Sequence, residues 1–101
     1  MKHQPKIGFS VEHPGIILWE EYLQPLGVSQ SQFARDIGIS YPRANEVLNG
    51  RRSITPDTAL RLSYYLGTTA EFWVNWQALY ELQAVEKAHG TEYKRIARLA
   101  A

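Results

Sequence analysis

The stretch from Ser29 to Gly50 most constrains the fold, because it contains two short amphipathic segments separated by a glycine. Ser29 can cap a first helix, with Gln32 completing a capping box, and Gly38 can end it. Ser40 can cap a second helix that ends before the last glycine. Apolar residues at helical spacing give each segment one buried face, namely Phe33, Ala34 and Ile37, then Ala44, Val47 and Leu48. This pattern predicts a helix-turn-helix over residues 29–50, whose second helix can lie in the DNA major groove.

The flanking sequence predicts the remaining helices. One begins at Pro14, which is acceptable in a first turn, and ends at Pro25 and Gly27. Another has a cap, a proline and an acid at Thr55-Pro56-Asp57 and ends at Gly67. A longer C-terminal helix is expected over 69–89, ending before a glycine. A last short helix is expected from Thr91 to Leu99. We therefore expect an all-α domain of five or six helices.

The first twelve residues lack a sustained helical period. Ile7, Phe9 and Val11 alternate with small or polar residues, which permits a short strand or an extended arm. We expect residues 1–12 to form a flexible or extended N-terminal arm to a single domain that spans residues 1–101.

Composition limits the classes of function. At 101 residues the chain is long enough for one small core, and the absence of cysteine excludes disulfides and thiolate metal sites. No signal peptide or long apolar run is present, so we expect a cytoplasmic protein with no membrane association. His3, His13 and His89 are scattered without metal-ligand spacing, and no nucleophile or phosphate-binding loop is evident. We expect neither an enzyme nor a bound metal or cofactor.

The charge balance bears on DNA binding. The formal net charge is only +1, well below that of a protein held to DNA mainly by electrostatics. Arginines are nevertheless concentrated in and after the second helix of the motif, at Arg43, Arg51, Arg52 and Arg61. This distribution argues against nonspecific binding and is compatible with a local DNA contact.

The second helix of the motif carries the candidate base-reading residues. Arginine can bind guanine, asparagine can bind adenine and glutamate can accept from cytosine, while a tyrosine can pack on a thymine methyl or bind a phosphate. The candidates are Ser40, Tyr41, Pro42, Arg43, Asn45 and Glu46. The candidate phosphate contacts are Gln30, Asn49, Arg51 and Arg52. The alternative is that these side chains are an ordinary solvated surface, since helical bundles without DNA also contain such turns.

The long C-terminal helix is unusually aromatic. Its apolar residues, Phe72, Trp73, Trp76, Leu79, Tyr80 and Leu82, span an arc of roughly 180°, wider than the stripe of about 100° that one core face needs. We assign Phe72 and Trp76 to the core. We assign Trp73, Tyr80 and Leu82 to a subunit contact, because aromatic residues are enriched at interfaces. The pattern predicts a homodimer that presents two reading helices about 34 to 36 Å apart.

From His13 to Gln77 the chain resembles the HigA/VapI antitoxins of the Xre/Cro-like regulator family. The resemblance rests on motifs before, within and after the predicted helix-turn-helix. These are His13-Pro14-Gly15, Leu26-Gly27-Val28-Ser29-Gln30, Asn45-Glu46, Asn49-Gly50-Arg51-Arg52, Thr55-Pro56-Asp57, Leu66-Gly67-Thr68-Thr69 and Phe72-Trp73-x-Asn75-Trp76-Gln77. The chain departs from the usual pattern at Ile16, where relatives often have glutamate, and at Tyr41-Pro42.

The resemblance implies a compact domain of lambda-repressor/Cro-like type and two kinds of partner. The first is double-stranded operator DNA, bound by a dimer that represses its own operon. The second is a small basic toxin of the RelE-like HigB type, which cleaves mRNA and is neutralised by the antitoxin. Two alternatives stay open, namely a protein-inhibitor module without DNA binding and a stand-alone phage-like repressor.

Overall fold

Five helices form the part of the chain that the computed structural model describes, residues 10–100. Helix α1 begins as an α-helical turn at Pro14–Ile17 and continues directly as a π-helical segment at Leu18–Leu23. The other helices are α2 at Gln30–Ile37, α3 at Tyr41–Leu48, α4 at Pro56–Leu66 and α5 at Ala70–Tyr93. Residues 10–100 contain no strand, so the all-α prediction is confirmed. The strand or arm expected at the N-terminus lies mostly outside these residues.

Side-chain caps start four of the helices where the sequence predicts them. The hydroxyl oxygens of the capping residues accept hydrogen bonds from backbone N–H groups in the first turn of each helix. The caps are Ser29 to Gln32 at 3.1 Å, Ser40 to Arg43 at 3.3 Å, Thr55 to Thr58 at 3.2 Å and Thr69 to Phe72 at 3.1 Å. Gly38 ends α2 in the left-handed conformation, with φ of 76°, so the chain turns sharply into α3.

The core lies where the inner faces of the five helices meet. Phe33, Ala44, Val47 and Leu62 are completely inaccessible to solvent. Trp73 is also fully buried, and it packs edge-on against Tyr22 with ring centroids 5.5 Å apart. Its indole N–H donates to the Thr68 hydroxyl at 2.7 Å, which satisfies the one polar atom of the ring. Trp73 is thus a central core residue of α5.

Helix α1 crosses α3 at very short range. Gly15 is buried, and a methyl group added to its Cα would overlap the backbone carbonyl of Val47. His13 starts α1, because its Nδ1 accepts a hydrogen bond from the Gly15 backbone N–H at 2.9 Å. The absence of a side chain at Gly15 therefore lets α1 rest on the C-terminal end of α3.

Helix α5 is longer than the sequence predicts. The expected end before Gly90 is wrong, because Gly90 keeps a helical backbone and its carbonyl accepts from the Lys94 N–H at 3.2 Å. A glycine inside a helix costs only about 1 kcal/mol relative to alanine, which the good helix formers before it offset. The separate helix expected from Thr91 to Leu99 is also wrong, since Thr91 continues α5 and the residues after Tyr93 are not helical.

The C-terminal half of α5 extends away from the other helices. From Ala84 to the end of the helix, nearly every residue is exposed, and the described part measures 53 Å along its longest axis against 24 and 23 Å across. Within residues 10–100, no helix combines the length and apolarity needed to span a membrane.

We expect Gly15→Ala and Gly90→Ala to change stability in opposite directions. Gly15→Ala forces a methyl group against the Val47 carbonyl and should lower the free energy of unfolding by about 1–3 kcal/mol. Gly90→Ala meets only the Glu86 side chain at 4.0 Å and should raise the free energy of unfolding by up to about 1 kcal/mol. Urea denaturation of both variants measures these changes. Equal effects of the two substitutions would contradict the close crossing of α1 and α3.

Candidate nucleic-acid interface

The outer side of α3 and the start of α2 form one continuous polar surface. Gln30, in the first turn of α2, accepts a hydrogen bond from the Asn45 side-chain amide of α3 at 2.8 Å. One predicted phosphate contact and one predicted base reader are thereby brought together. This bond leaves the Asn45 amide oxygen as an acceptor and the Gln30 amide nitrogen as a donor, and both residues are partly exposed.

The N-terminal end of α3 presents an aromatic ring to solvent. Tyr41 is 50% exposed and Pro42 is exposed beside it, so both are available for contact. Ser40 is also exposed, but its hydroxyl is engaged as the α3 cap. The half-exposed Tyr41 ring and hydroxyl are therefore accessible to a base edge or a phosphate.

The predicted readers and phosphate contacts at the C-terminal end of α3 interact with one another. Glu46 accepts from the Arg52 guanidinium, with Oε1 2.8 Å from both Nε and Nη2. Asn49 donates to the Asn45 backbone carbonyl at 2.7 Å. Arg51 is exposed next to Arg52. The Glu46 carboxylate is thus occupied, whereas the two arginine heads lie at the surface.

The candidate base reader Arg43, on the flank of the outward residues of α3, contacts the neighbouring helix α4. Its Nη2 contacts Asp57 Oδ2 at 3.2 Å and the Thr58 hydroxyl at 2.9 Å, both in the first turn of α4. Its side chain is 31% exposed. In the described structure Arg43 therefore binds α4.

Asp57 and Arg61 of α4 have structural roles at this surface, although neither was a candidate DNA-contacting residue. Asp57 binds Arg43, as described above, and also Arg61. Arg61 Nε contacts Asp57 Oδ2 at 3.0 Å, and Arg61 Nη1 donates to the Ile37 carbonyl at 2.8 Å, at the turn of the motif. Both arginines lower the pKa of the Asp57 carboxyl below its usual range through hydrogen bonds, Arg61 more strongly. The acid and base four residues apart in α4 are a sequence signal for the Asp57–Arg61 pair.

His13 supports the loop that follows α3. Gly50 has a left-handed backbone with φ of 74°, and a Cβ there would lie 2.9 Å from the Ile16 side chain and 3.5 Å from His13 Cβ. The His13 ring also packs edge-on against Tyr80 of α5, with centroids 5.0 Å apart. Burial lowers the pKa of His13, although a hydrogen bond with the Arg52 backbone and the charge of Glu81 act in the opposite direction. A neutral His13 thus lies between α1, α5 and the Arg51-Arg52 segment.

The aromatic residues of α5 are distributed between the core and the surface differently from the prediction. Trp73 is fully buried within one chain, which removes it from the predicted subunit contact. Phe72, expected in the core, is 42% exposed, because α5 is rotated to point Trp73 inward. Trp76 is half-buried against the core, and its indole donates to the Glu12 carbonyl at 2.9 Å. Tyr80 is half-buried on His13, whereas Leu82 is 66% exposed.

A family model and a curated relative both show similarity to the middle part of this chain. Residues 20–73 match the family model described as helix-turn-helix. Virulence-associated protein I of Dichelobacter nodosus is 47% identical over 75 residues, which are 74% of this chain and 69% of that protein.

Solved structures with the same fold include complexes with DNA. The antitoxin GraA in complex with its operator superposes with a TM-score of 0.86 at 40% identity, covering 97% of this chain and all of that one. Pseudomonas aeruginosa antitoxin HigA with the higBA promoter gives a TM-score of 0.85 at 35% identity, covering 89% of this chain and 99% of that one.

We expect the neutral state of His13 to make stability depend on pH. The pKa of His13 is lower in the folded protein than its ordinary value of 6.5, so the unfolded chain binds more protons as the pH falls below 6.5. The free energy of unfolding should therefore decrease between pH 7.5 and pH 5.5. His13→Asn keeps a capping oxygen but cannot be protonated, so it should flatten this dependence.

The matched control is His89→Asn, which changes an exposed histidine paired with Glu92 on α5. Urea midpoints across this pH range should change less in His13→Asn than in His89→Asn. A wild-type slope in His13→Asn would contradict the assigned role of His13.

Proposed function

The chain belongs to the helix-turn-helix family that includes the HigA-type antitoxins, and we propose that it is a sequence-specific DNA-binding antitoxin that represses its own operon. The observation that carries the proposal is the exposed outer side of α3, with Tyr41 at its N-terminal end and the Asn45–Gln30 pair beside it. Membership of this family agrees with the expectation that the chain is not an enzyme.

The chemistry of this surface suits a major groove. An α-helix fits that groove, and asparagine can bind the N6 and N7 atoms of adenine with two hydrogen bonds. Because Gln30 already bonds the Asn45 amide, the orientation of the Asn45 side chain is fixed before DNA binds. A fixed side chain loses less conformational entropy on binding, which favours a specific contact. Tyr41 supplies an adjacent contact with a thymine methyl or a phosphate.

The exposed arginines after α3 supply phosphate contacts. Arg51 and Arg52 follow the reading helix directly, and His13 and Gly50 hold the start of that segment against α1. Two close cations placed beside the groove position the protein on the duplex without reading sequence. The named structures of GraA with its operator and HigA with a promoter have the same fold, which supports DNA as the partner.

A homodimer accounts for the exposed apolar residues of α5. At 100° per residue, Phe72, Leu79, Leu82 and Tyr93 fall on one side of the helix, and each is more than 40% exposed. A second copy of this side would cover these residues symmetrically. It would also give the assembly two α3 helices, one for each half of a two-fold symmetric DNA site. Leu82 stays in the proposed contact, whereas the fully buried Trp73 does not. Tyr80 lies about 160° around the helix from Leu82 and packs on His13, so it is outside this side of α5.

We propose a small basic toxin, of an mRNA-cleaving HigB/RelE-like type, as the protein partner. Support comes from the antitoxin names of relatives, including antitoxin HigA-1 of Vibrio cholerae, which is 30% identical over 80 residues. Co-purification with the product of an adjacent small reading frame tests this part. A protein inhibitor without DNA binding is the second candidate, favoured by the net charge of only +1.

We expect Asn45→Ala to weaken binding to a duplex taken from directly upstream of the protein's own reading frame. Loss of the adenine contact should cost about 1–3 kcal/mol, which is about 5- to 150-fold in Kd, and should relax the preference at one base pair. Fluorescence anisotropy with that duplex and its single-base variants measures both effects. Asn75→Ala on α5 removes the same group from another exposed site and should leave Kd unchanged. Equal losses in the two variants would contradict the assignment of Asn45.

We expect Leu82→Glu to dissociate the dimer. A charged group in the apolar contact of α5 should raise the dimer Kd at least about tenfold, because a buried unpaired carboxylate is costly. Sedimentation equilibrium at micromolar concentration measures the change. Leu26→Glu places the same charge at a 72% exposed site in the turn between α1 and α2, and it should behave as wild type. A monomeric wild-type protein under these conditions would contradict the α5 interface.

A further inference from the structure

The Asp57 carboxylate holds an arginine that would otherwise lie near the bases. Arg43 is the third residue of α3, in the turn that enters the groove in a helix-turn-helix. Its Nη2 is bound by Asp57 at 3.2 Å and by the Thr58 hydroxyl at 2.9 Å. Thr58 is 1% exposed, so this end of the guanidinium contacts the protein interior. The Arg43 side chain is therefore drawn toward α4.

Asp57 is itself fixed at the start of α4. The Arg61 guanidinium binds the same carboxylate oxygen at 3.0 Å and also reaches the Ile37 carbonyl at the C-terminal end of α2. The N-terminus of α4 carries a partial positive charge, which stabilises an anion in its first turn. One carboxylate thus links the turn of the motif, the reading helix and α4.

From this geometry we propose that Asp57 is a specificity-positioning residue, which keeps Arg43 off the DNA and leaves sequence recognition to Tyr41 and Asn45. The proposal rests on the DNA binding proposed above. An arginine free to move at the entrance of the groove can bind guanine O6 and N7 or any nearby phosphate. On arbitrary DNA the protein can take whichever position brings a guanine or a phosphate within reach of this arginine, whereas at the specific site Tyr41 and Asn45 set the position. The added affinity would therefore fall mainly on other sequences and reduce discrimination. The carboxylate prevents this by offering Arg43 a closer anion within the protein.

Asp57→Asn tests the proposal, because it removes the charge while retaining a similar shape and the place at the start of α4. Glu71→Gln is the matched control, since it removes one exposed carboxylate from the first turn of α5. Affinities are measured for the upstream duplex and for a scrambled duplex of equal composition. Thermal melting establishes that each variant is folded at the assay temperature.

Asp57→Asn should bind the scrambled duplex about fivefold or more tightly than Glu71→Gln does, because a released arginine gains a contact of about 1 kcal/mol or more. The ratio of affinities for the two duplexes should fall correspondingly. The double variant Asp57→Asn/Arg43→Ala should lose this gain. In a wild-type background, Arg43→Ala should change binding to both duplexes by less than about threefold.

Two results would overturn the proposal. One is equal binding of the scrambled duplex by Asp57→Asn and Glu71→Gln. The other is an Arg43→Ala variant that loses preference at a single base pair of the upstream duplex, which would make Arg43 a base reader. If the wild type does not distinguish the two duplexes, the proposed function fails. In that case the affinities of Asp57→Asn and Glu71→Gln for the scrambled duplex still show whether Asp57 restrains Arg43.

Discussion

The burial of one side of α3 is the constraint on which the rest of the structure depends. Ala44, Val47 and Leu48 are at most 1% exposed, and they pack α3 against the core formed with the other helices. This packing fixes the rotation of α3 about its axis and so decides which of its residues stay accessible, with Tyr41 half-exposed at the N-terminal end and Asn45 partly exposed. It also brings the end of α3 against Gly15 and His13, which holds the segment containing Arg51 and Arg52. The core therefore sets the orientation of the proposed DNA surface.

Internal ion pairing explains how a chain of low net charge can still suit DNA. Arg43 and Arg61 share Asp57, and Arg52 binds Glu46, so several cations near the surface have partners within the protein. Such exposed pairs contribute little to stability. Their effect on binding is larger, because a phosphate must compete with a carboxylate for each paired arginine. We expect this arrangement to disfavour binding to arbitrary DNA and to leave recognition to the shape and hydrogen bonds of α3.

The helix starts and the turn could be predicted from sequence because they depend on neighbouring residues. Ser29, Ser40 and Thr55 each cap a helix through a bond to a backbone N–H three residues away. The end of α5 could not be predicted from Gly90 alone, since glycine ends a helix only where the backbone becomes left-handed. Contacts between residues far apart in the sequence could not be predicted from helical spacing either. The rotation of α5 that buries Trp73 and exposes Phe72 depends on packing against Tyr22, and the position of Arg43 depends on Asp57 in another helix.

Hydroxyl-radical footprinting of the DNA upstream of the protein's own reading frame tests the central claim most directly, that α3 reads a specific site as part of a dimer. We expect two protected segments at fixed positions, with centres about 10 to 10.5 base pairs apart, or one helical turn. Both segments should disappear together when Asn45 is replaced by alanine. Protection without a fixed position, or a footprint unaffected by that substitution, would contradict the account.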